Sequence, residues 1–176
     1  MHYNLETDAQ MIDKFFAGRL AYLFGFLLSL TIFLTALLIQ IFYKLEPCPL
    51  CISQRIAFIS LGGAFLMALI HNPKNRVWIN IHALLQVLVA MAGASIAIRH
   101  WWIQAHKAEM IVDCGVDFDY MFDNFPLKKA LNLVFRGTGD CAAIDWTFLG
   151  LSIPQLALIA FVSIAAYAVL LAKKRI

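Results

Sequence analysis

Two cysteines, Cys48 and Cys51, stand two residues apart at the start of an apolar segment, and Arg55 follows one helical turn later. A Cys-x-x-Cys pair can close and reopen a disulfide. On a helix, Cys51 and Arg55 share one face and lie about 6 Å apart along the axis. A helix start and a nearby cation both favour the thiolate that disulfide exchange requires. These residues therefore indicate thiol–disulfide chemistry at the edge of a membrane-spanning helix.

Arg55 has two explanations at the level of the sequence. A guanidinium inside a membrane span is costly and tends to mark function. Its functions here would be to stabilise a Cys51 thiolate and to bind a polar headgroup at the edge of the lipid. Alternatively, the side chain extends to the outer interface from a depth of about one to two turns. Because the cysteine and the arginine share a face, we favour the functional interpretation.

The second pair of cysteines, Cys114 and Cys141, is separated by 26 residues. This pair is either a second redox disulfide or a loop staple that contributes a few kcal/mol, on the order of 2–4 kcal/mol. A zinc site is disfavoured, because the pair lacks the short ligand spacing of structural zinc sites and no histidine is suitably spaced nearby. We therefore expect no metal.

The histidines divide by position along the chain. His100 lies at the outward end of the third apolar segment, at the depth of Arg55, where it can act as an acid or as a hydrogen-bond partner. His82 lies near the other end of that segment, and we interpret it as a packed bundle histidine with Gln86 as its partner. His71 is expected to be a solvated surface residue.

The elements that must position these residues are membrane helices. The 176-residue chain has a mean hydropathy of +0.77 and only 14% charged residues, which is typical of an integral membrane protein. A helix needs about 20 residues to cross ~30 Å of hydrocarbon. The sequence therefore predicts an all-α membrane protein, a four-transmembrane-helix bundle that forms one domain over residues 1–176. The predicted spans are residues 20–42, 52–70, 77–98 and 153–172.

Basic residues predict the orientation. They precede the first span, occupy the turn between the second and third, and close the chain. The positive-inside rule therefore places both termini in the cytoplasm. The loops 43–51 and 99–152, which hold all four cysteines, then face the oxidising outer side, where disulfides persist.

The outer loop 99–152 is too long to be a simple connector. Within Tyr120–Phe135, the apolar residues Leu127, Leu131 and Val134 recur at helical spacing, while lysines take other faces. This pattern predicts a short amphipathic helix that lies on the membrane surface.

Two motifs stand out along the chain: the segment Cys48–Cys51 with Arg55, and the segment Gly137–Cys141 followed by Asp145–Pro154. They resemble the DsbB family of bacterial inner-membrane disulfide bond formation proteins. Together with the four spans, the resemblance covers essentially the whole chain after about the first ten residues. It implies a quinone-dependent protein-disulfide oxidase that reoxidises a soluble, thioredoxin-like periplasmic protein, DsbA.

The resemblance also implies a role for each cysteine. The partner's thiolate attacks Cys114 of a Cys114–Cys141 disulfide, and the released Cys141 attacks Cys48. Cys51 is then left as a thiolate beside the quinone, held by Arg55. His100 aligns with a histidine near the family's quinone.

A membrane quinone, ubiquinone or menaquinone, is the simplest electron acceptor. A DsbA-like partner is itself strongly oxidising, so only a strong oxidant can accept its electrons. The chain has no Gly-x-Gly-x-x-Gly dinucleotide fingerprint and too little mass outside the spans for a flavin domain. We expect the lipid bilayer and its quinone pool as partners and no nucleic acid.

Two other classes of function remain open. A reductant conduit from the cytoplasm would require cysteines in mid-span or on the cytoplasmic side, and the sequence has none there. A non-enzymatic scaffold would use a disulfide-stapled outer loop to bind a periplasmic partner. The scaffold predicts that Cys51→Ser and Arg55→Ala leave activity intact, which distinguishes it from an oxidoreductase.

Overall fold

The structure, a computed structural model, describes residues 19–106, 139–144 and 146–175. Within these ranges, four helices are long and apolar enough to cross a membrane. This confirms the predicted fold class. A short 3₁₀ turn and a two-stranded antiparallel hairpin precede the last helix. The elements are α1 (Arg19–Tyr43), α2 (Pro49–His71), α3 (Arg76–Ala105), the 3₁₀ turn (Gly139–Ala142), β1 (Thr147–Phe148), β2 (Leu151–Ser152) and α4 (Ile153–Arg175).

The ends of α2 follow from local chemistry. Cys48 is its N-cap residue and Pro49 occupies the first turn, where proline costs no hydrogen bond. At the other end, Asn72 adopts a left-handed conformation with φ of 43°, and its N–H donates to the carbonyl of Ala68 at 2.9 Å. The next helix, α3, begins after Asn75, whose side chain accepts from the N–H of Val77 at 3.1 Å.

Helix α3 is longer than the sequence predicts. It contains the predicted span but continues past Ile98 to Ala105. The polar residues His100 and Gln104 suggest that the span ends before them, yet both are buried against neighbouring elements. A helix satisfies its own backbone hydrogen bonds, so it can carry such side chains beyond the apolar run.

The four helices pack in chain order around the bundle. The most extensive contacts join α3 to α4 and α1 to α2, followed by α2 to α3, whereas α1 barely touches α4. Where the start of α1 meets the end of α4, the Tyr167 hydroxyl donates to the carbonyl of Ala21 at 2.8 Å. Toward the cysteine end of the bundle, defined as the end where α2 begins, α1 and α4 separate.

Small residues bring the helices close together in the centre. A Cβ atom added at Gly93 of α3 would lie 2.4 Å from the ring of Phe161 on α4, and one at Gly25 would lie 2.5 Å from the ring of Phe65. Phe161 also stacks on Phe58, with ring centroids 4.0 Å apart. Close packing around small residues is how membrane helices associate, because lipid supplies no hydrophobic drive between them.

Two predictions fall outside the described residues. Cys114 and the predicted interfacial helix over 120–135 both lie between residues 106 and 139.

Candidate redox site at the cysteine end of the bundle

The Cys-x-x-Cys pair caps the start of α2. Cys48 accepts a hydrogen bond at its Sγ from the backbone N–H of Cys51 at 3.4 Å, and the two Sγ atoms lie 3.2 Å apart. Cys48 is buried, whereas Cys51 is half-buried. Cys51 sits in the first turn, where unpaired backbone N–H groups and the helix dipole favour a thiolate. The local sequence thus brings the two sulfurs together within one turn.

Cys51 lines a cavity of about 430 Å³ at the point where α1 and α4 separate. The cavity wall is largely apolar and includes Ile39 of α1 and Leu156 of α4. From α2, Cys51, Gln54 and Arg55 contribute polar atoms to it. The aromatic rings of Trp146 and Phe148, which stack with centroids 6.1 Å apart, complete the wall. Its full remaining lining is Thr31, Ile32, Thr35, Ala36, Gln40, Leu45, Glu46, Pro47, Phe58, Ile153, Ala157 and Ala160.

Arg55 is held on the wall of this cavity by α1. Its guanidinium donates to Oε1 of Gln40 and, at 3.4 Å, to the carbonyl of Ala36. Two partners on one helix give the planar guanidinium a defined orientation. Sequence reasoning missed Gln40, although a glutamine within an otherwise apolar span is itself a signal of a buried polar contact.

His100 lies on the side of the cysteine pair that faces α3. Its Nε2 is 3.8 Å from Sγ of Cys48, and its Nδ1 is 3.2 Å from Nε2 of Gln54. The family resemblance associates His100 with a quinone, but His100 is absent from the described residues that line the large cavity. Instead it borders a small cleft of about 30 Å³ together with Cys48 and Cys51.

Cys141 lies next to Cys48 and His100, in the 3₁₀ turn that precedes the hairpin. Its side chain is fully buried and packs in one cluster with Cys48 and Ile103. Sγ of Cys48, Sγ of Cys141 and a ring nitrogen of His100 all lie within 4.8 Å of one another. Gln104 fastens this segment to α3 by donating from Nε2 to the carbonyl of Ala143 at 3.2 Å.

The surroundings of Cys48 disfavour its thiolate. The hydrogen bond with Cys141 lowers the pKa of the Cys48 thiol, but the contact with Cys51 and burial outweigh it and raise the pKa above its usual range. A sulfur that resists ionisation is a poorer leaving group than its neighbour at the helix start. The Cys48–Cys51 pair is therefore chemically asymmetric.

The structure brings together five of the six site residues that the sequence predicts. Cys48, Cys51 and Cys141 form one sulfur cluster, Arg55 lies on the adjacent cavity wall, and His100 contacts Cys48. The sixth predicted residue, Cys114, lies outside the described residues.

Four membrane-crossing helices, with a cysteine pair between an apolar cavity and a third cysteine, define a multi-pass membrane protein equipped for thiol–disulfide chemistry. Residues 18–171 match the family described as disulfide bond formation protein DsbB. The chain belongs to the DsbB family.

Relatives across most of the chain carry the same description. The chain is 56% identical over 162 residues to "Disulfide bond formation protein B" of Methylobacillus flagellatus. The aligned region covers 92% of this chain and 97% of that protein. It is 46% identical over 154 residues to the protein of that name from Methylococcus capsulatus, covering 88% and 93% of the two chains. A third relative of that name, from Nitrosococcus oceani, is 45% identical over 144 residues, covering 81% and 84%.

Proposed function

We propose that this disulfide bond formation protein is a membrane thiol:quinone oxidoreductase that reoxidises a periplasmic, DsbA-like dithiol protein. The observation that carries the proposal is the position of the Cys-x-x-Cys pair. Cys51 and Arg55 line a largely apolar cavity between α1 and α4, while Cys48 lies beside Cys141 on the other side. One pair can therefore exchange with a loop cysteine on one side and deliver electrons on the other.

The cavity suits a quinone headgroup. Its volume of about 430 Å³ falls in the range of small-molecule sites, and such sites combine apolar walls with a few placed polar groups. Arg55 and Gln54 supply hydrogen-bond donors within a wall of Ile, Leu, Phe and Trp side chains. Because α1 and α4 make few contacts, a lipid-soluble molecule has a path from the bilayer. A bound quinone supplies an acceptor for two electrons and two protons.

The cysteines of this chain perform the exchange steps. The partner's thiolate attacks Cys114 and releases Cys141, which then attacks Sγ of Cys48. The Cys48–Cys51 bond breaks as the Cys141–Cys48 bond forms, so no electrons are gained or lost in that step. Cys51 leaves as a thiolate, which the helix start and Arg55 stabilise. The partner's second thiol breaks its bond to Cys114 and leaves as the oxidised partner. Cys114 then attacks Cys141, which restores the Cys114–Cys141 bond and releases Cys48. The Cys48–Cys51 bond re-forms as two electrons pass to the bound acceptor, and the two protons lost by the partner's dithiol go to the same acceptor.

The orientation is part of the proposal. With both termini in the cytoplasm, as the basic residues predict, the cysteine end of the bundle faces the periplasm of a bacterial inner membrane. The partner's thiols then reach the loop cysteines without entering the bilayer.

The test is quinone reduction by the purified full chain in lipid nanodiscs, with a reduced thioredoxin-like dithiol protein as the donor. We expect turnover with a short-chain ubiquinone or menaquinone, and a loss of at least about 10³-fold in Cys51→Ser and in Cys114→Ser. Ser60→Ala, a change on an exposed face of α2, is the matched control and should retain full turnover.

A wild-type chain with intact disulfides that reduces neither quinone would contradict the proposal. That result would favour the disulfide-stapled scaffold, in which the outer loop binds a partner without redox turnover.

A further inference from the structure

Three metal-binding side chains converge at the cysteine end of the bundle, although they are far apart in the sequence. Sγ of Cys48, Sγ of Cys141 and a ring nitrogen of His100 lie within 4.8 Å of one another, and all three residues are buried. Spacing along the chain disfavours a zinc site because it leaves Cys141 without a nearby histidine. The fold supplies that histidine from α3.

The distances suit a thiophilic cation. Bonds of about 2.3 Å to sulfur and about 2.0–2.1 Å to nitrogen place tetrahedral S and N ligands roughly 3.6 Å apart. Sγ of Cys48 and Nε2 of His100 are 3.8 Å apart. Shifts of about 1 Å or less in each side chain therefore complete the triangle around one ion. Cys51, with its Sγ 3.2 Å from that of Cys48, or a water molecule can occupy a fourth position.

The second contact of His100 suits a bound imidazole as well. A histidine that binds a metal through Nε2 carries its proton on Nδ1 and donates it to a neighbouring acceptor. Gln54 lies 3.2 Å from Nδ1, and its amide carries both a donor and an acceptor. A half-turn of this amide presents Oε1 to the Nδ1–H.

We propose that the reduced chain binds one thiophilic divalent cation, such as Zn²⁺, through Cys48, Cys141 and His100. Binding displaces one proton from each thiol and changes no oxidation state, so the two protons pass to solvent. A cation-bound thiolate cannot also form a disulfide. Binding of the cation and a disulfide at Cys48 or Cys141 therefore exclude each other. The site thereby makes disulfide transfer sensitive to free metal ions.

Mass action sets the size of this effect. A ligand that binds only one of two states stabilises that state by the factor 1 + [L]/Kd. At a free cation concentration of 100 Kd, the equilibrium between the reduced and the disulfide-bonded cysteines of the site therefore shifts about 100-fold toward the reduced form.

The experiment measures binding without turnover. The full chain in nanodiscs is reduced, desalted without oxygen and titrated with Co²⁺, whose absorption reports thiolate ligation and tetrahedral geometry. We expect one Co²⁺ per chain with thiolate-to-metal charge-transfer bands, displaced by Zn²⁺. The same preparation after oxidation with diamide should show no such bands, which tests the site without any substitution.

Variants then identify the ligands. Cys48→Ser and Cys141→Ser should weaken binding at least about 100-fold and His100→Gln at least about 10-fold, because each removes a ligand atom. His82→Gln, a buried histidine on the same face of α3, is the matched control and should bind normally. Cys51→Ser should keep one tetrahedral Co²⁺, since the three proposed ligands remain.

Several results would overturn the proposal: tight binding by the oxidised chain, unchanged binding in Cys141→Ser, or equal losses in His100→Gln and His82→Gln. Loss of binding in Cys51→Ser without loss in Cys141→Ser would reduce the site to simple chelation by the Cys-x-x-Cys pair. Binding requires only reduced thiols, so it stands or fails separately from quinone reduction.

Discussion

Helix α3 carries a buried histidine near each end, and the two make an instructive comparison. His82 and His100 are 18 residues apart, which is five helical turns, so they share one face. Their side chains are 9% and 2% exposed, and both contact α2. By residue type, burial and helix face, the two positions are nearly equivalent.

The neighbours of the two histidines differ. At the end of the bundle opposite the cysteines, Nε2 of His82 lies 2.9 Å from Nδ1 of His71. Nδ1 of His82 and Nε2 of Gln86 have no hydrogen-bond partner. The prediction that Gln86 pairs with His82 was therefore wrong, whereas His71 is exposed as the sequence predicts and in addition contacts His82. An exposed histidine at the end of α2 provides the contact because the tight turn at Asn72 folds it back onto α3.

At the cysteine end, both ring nitrogens of His100 have polar neighbours, one of which is a sulfur atom. The large apolar cavity adjoins that end. Burial of a titratable residue in a membrane bundle is therefore a weak guide to function by itself. The chemistry of the atoms within reach is the stronger one.

Each end of the bundle also carries an arginine. Substitution of these two arginines should produce the largest difference in the rate of quinone reduction. Arg55→Met should lower the rate of quinone reduction about 10- to 100-fold, because the cation beside Cys51 and its hydrogen bonds on the cavity wall are lost. Arg175→Met is the matched change, since that guanidinium lies 4.7 Å from the ring of Tyr22 at the opposite end. Its rate should stay within about twofold of wild type. If steady-state assays show equal losses of rate in the two variants, Arg55 has no special role at the cysteine end.

The second-largest difference is expected between substitutions of the two histidines. His100→Gln should slow formation of the Cys141–Cys48 bridge about 10-fold, since the imidazole, within 4.8 Å of Sγ of Cys141, can take the proton of the attacking thiol and an amide cannot. His82→Gln should change that rate less than about twofold. Rapid acid quenching followed by thiol alkylation measures the bridge directly. A normal rate in His100→Gln would show that its contact with Cys48 is only packing.

The smallest effect is expected from the buried glutamines, through stability. Gln54 and Gln86 are 3% and 1% exposed, but only Gln54 has a partner for its amide nitrogen. Gln86→Leu should be neutral or stabilise the fold by up to about 1 kcal/mol, because it removes an unpaired polar group. Gln54→Leu should cost about 1–3 kcal/mol, because Nδ1 of His100 loses its partner. Reversible unfolding in mixed detergent micelles measures both values, and the reverse order would contradict this assignment.

Features within one segment were predictable from the sequence. The apolar lengths identify four spans, and Cys48 and Pro49 mark where α2 begins. The spacing of Cys51 and Arg55 puts them on one face, and both line the cavity. These features depend on the helical repeat and on backbone hydrogen bonding, which operate over a few residues.

Contacts between segments were decided by the tertiary structure. The pairing of Arg55 with Gln40, the gap between α1 and α4, and the meeting of Cys48, His100 and Cys141 all depend on how each helix is rotated against its neighbours. Membrane helices are apolar on every side, so their sequence periodicity does not identify the buried face. Close packing around residues such as Gly25 and Gly93 sets that rotation instead, and with it which polar atoms meet.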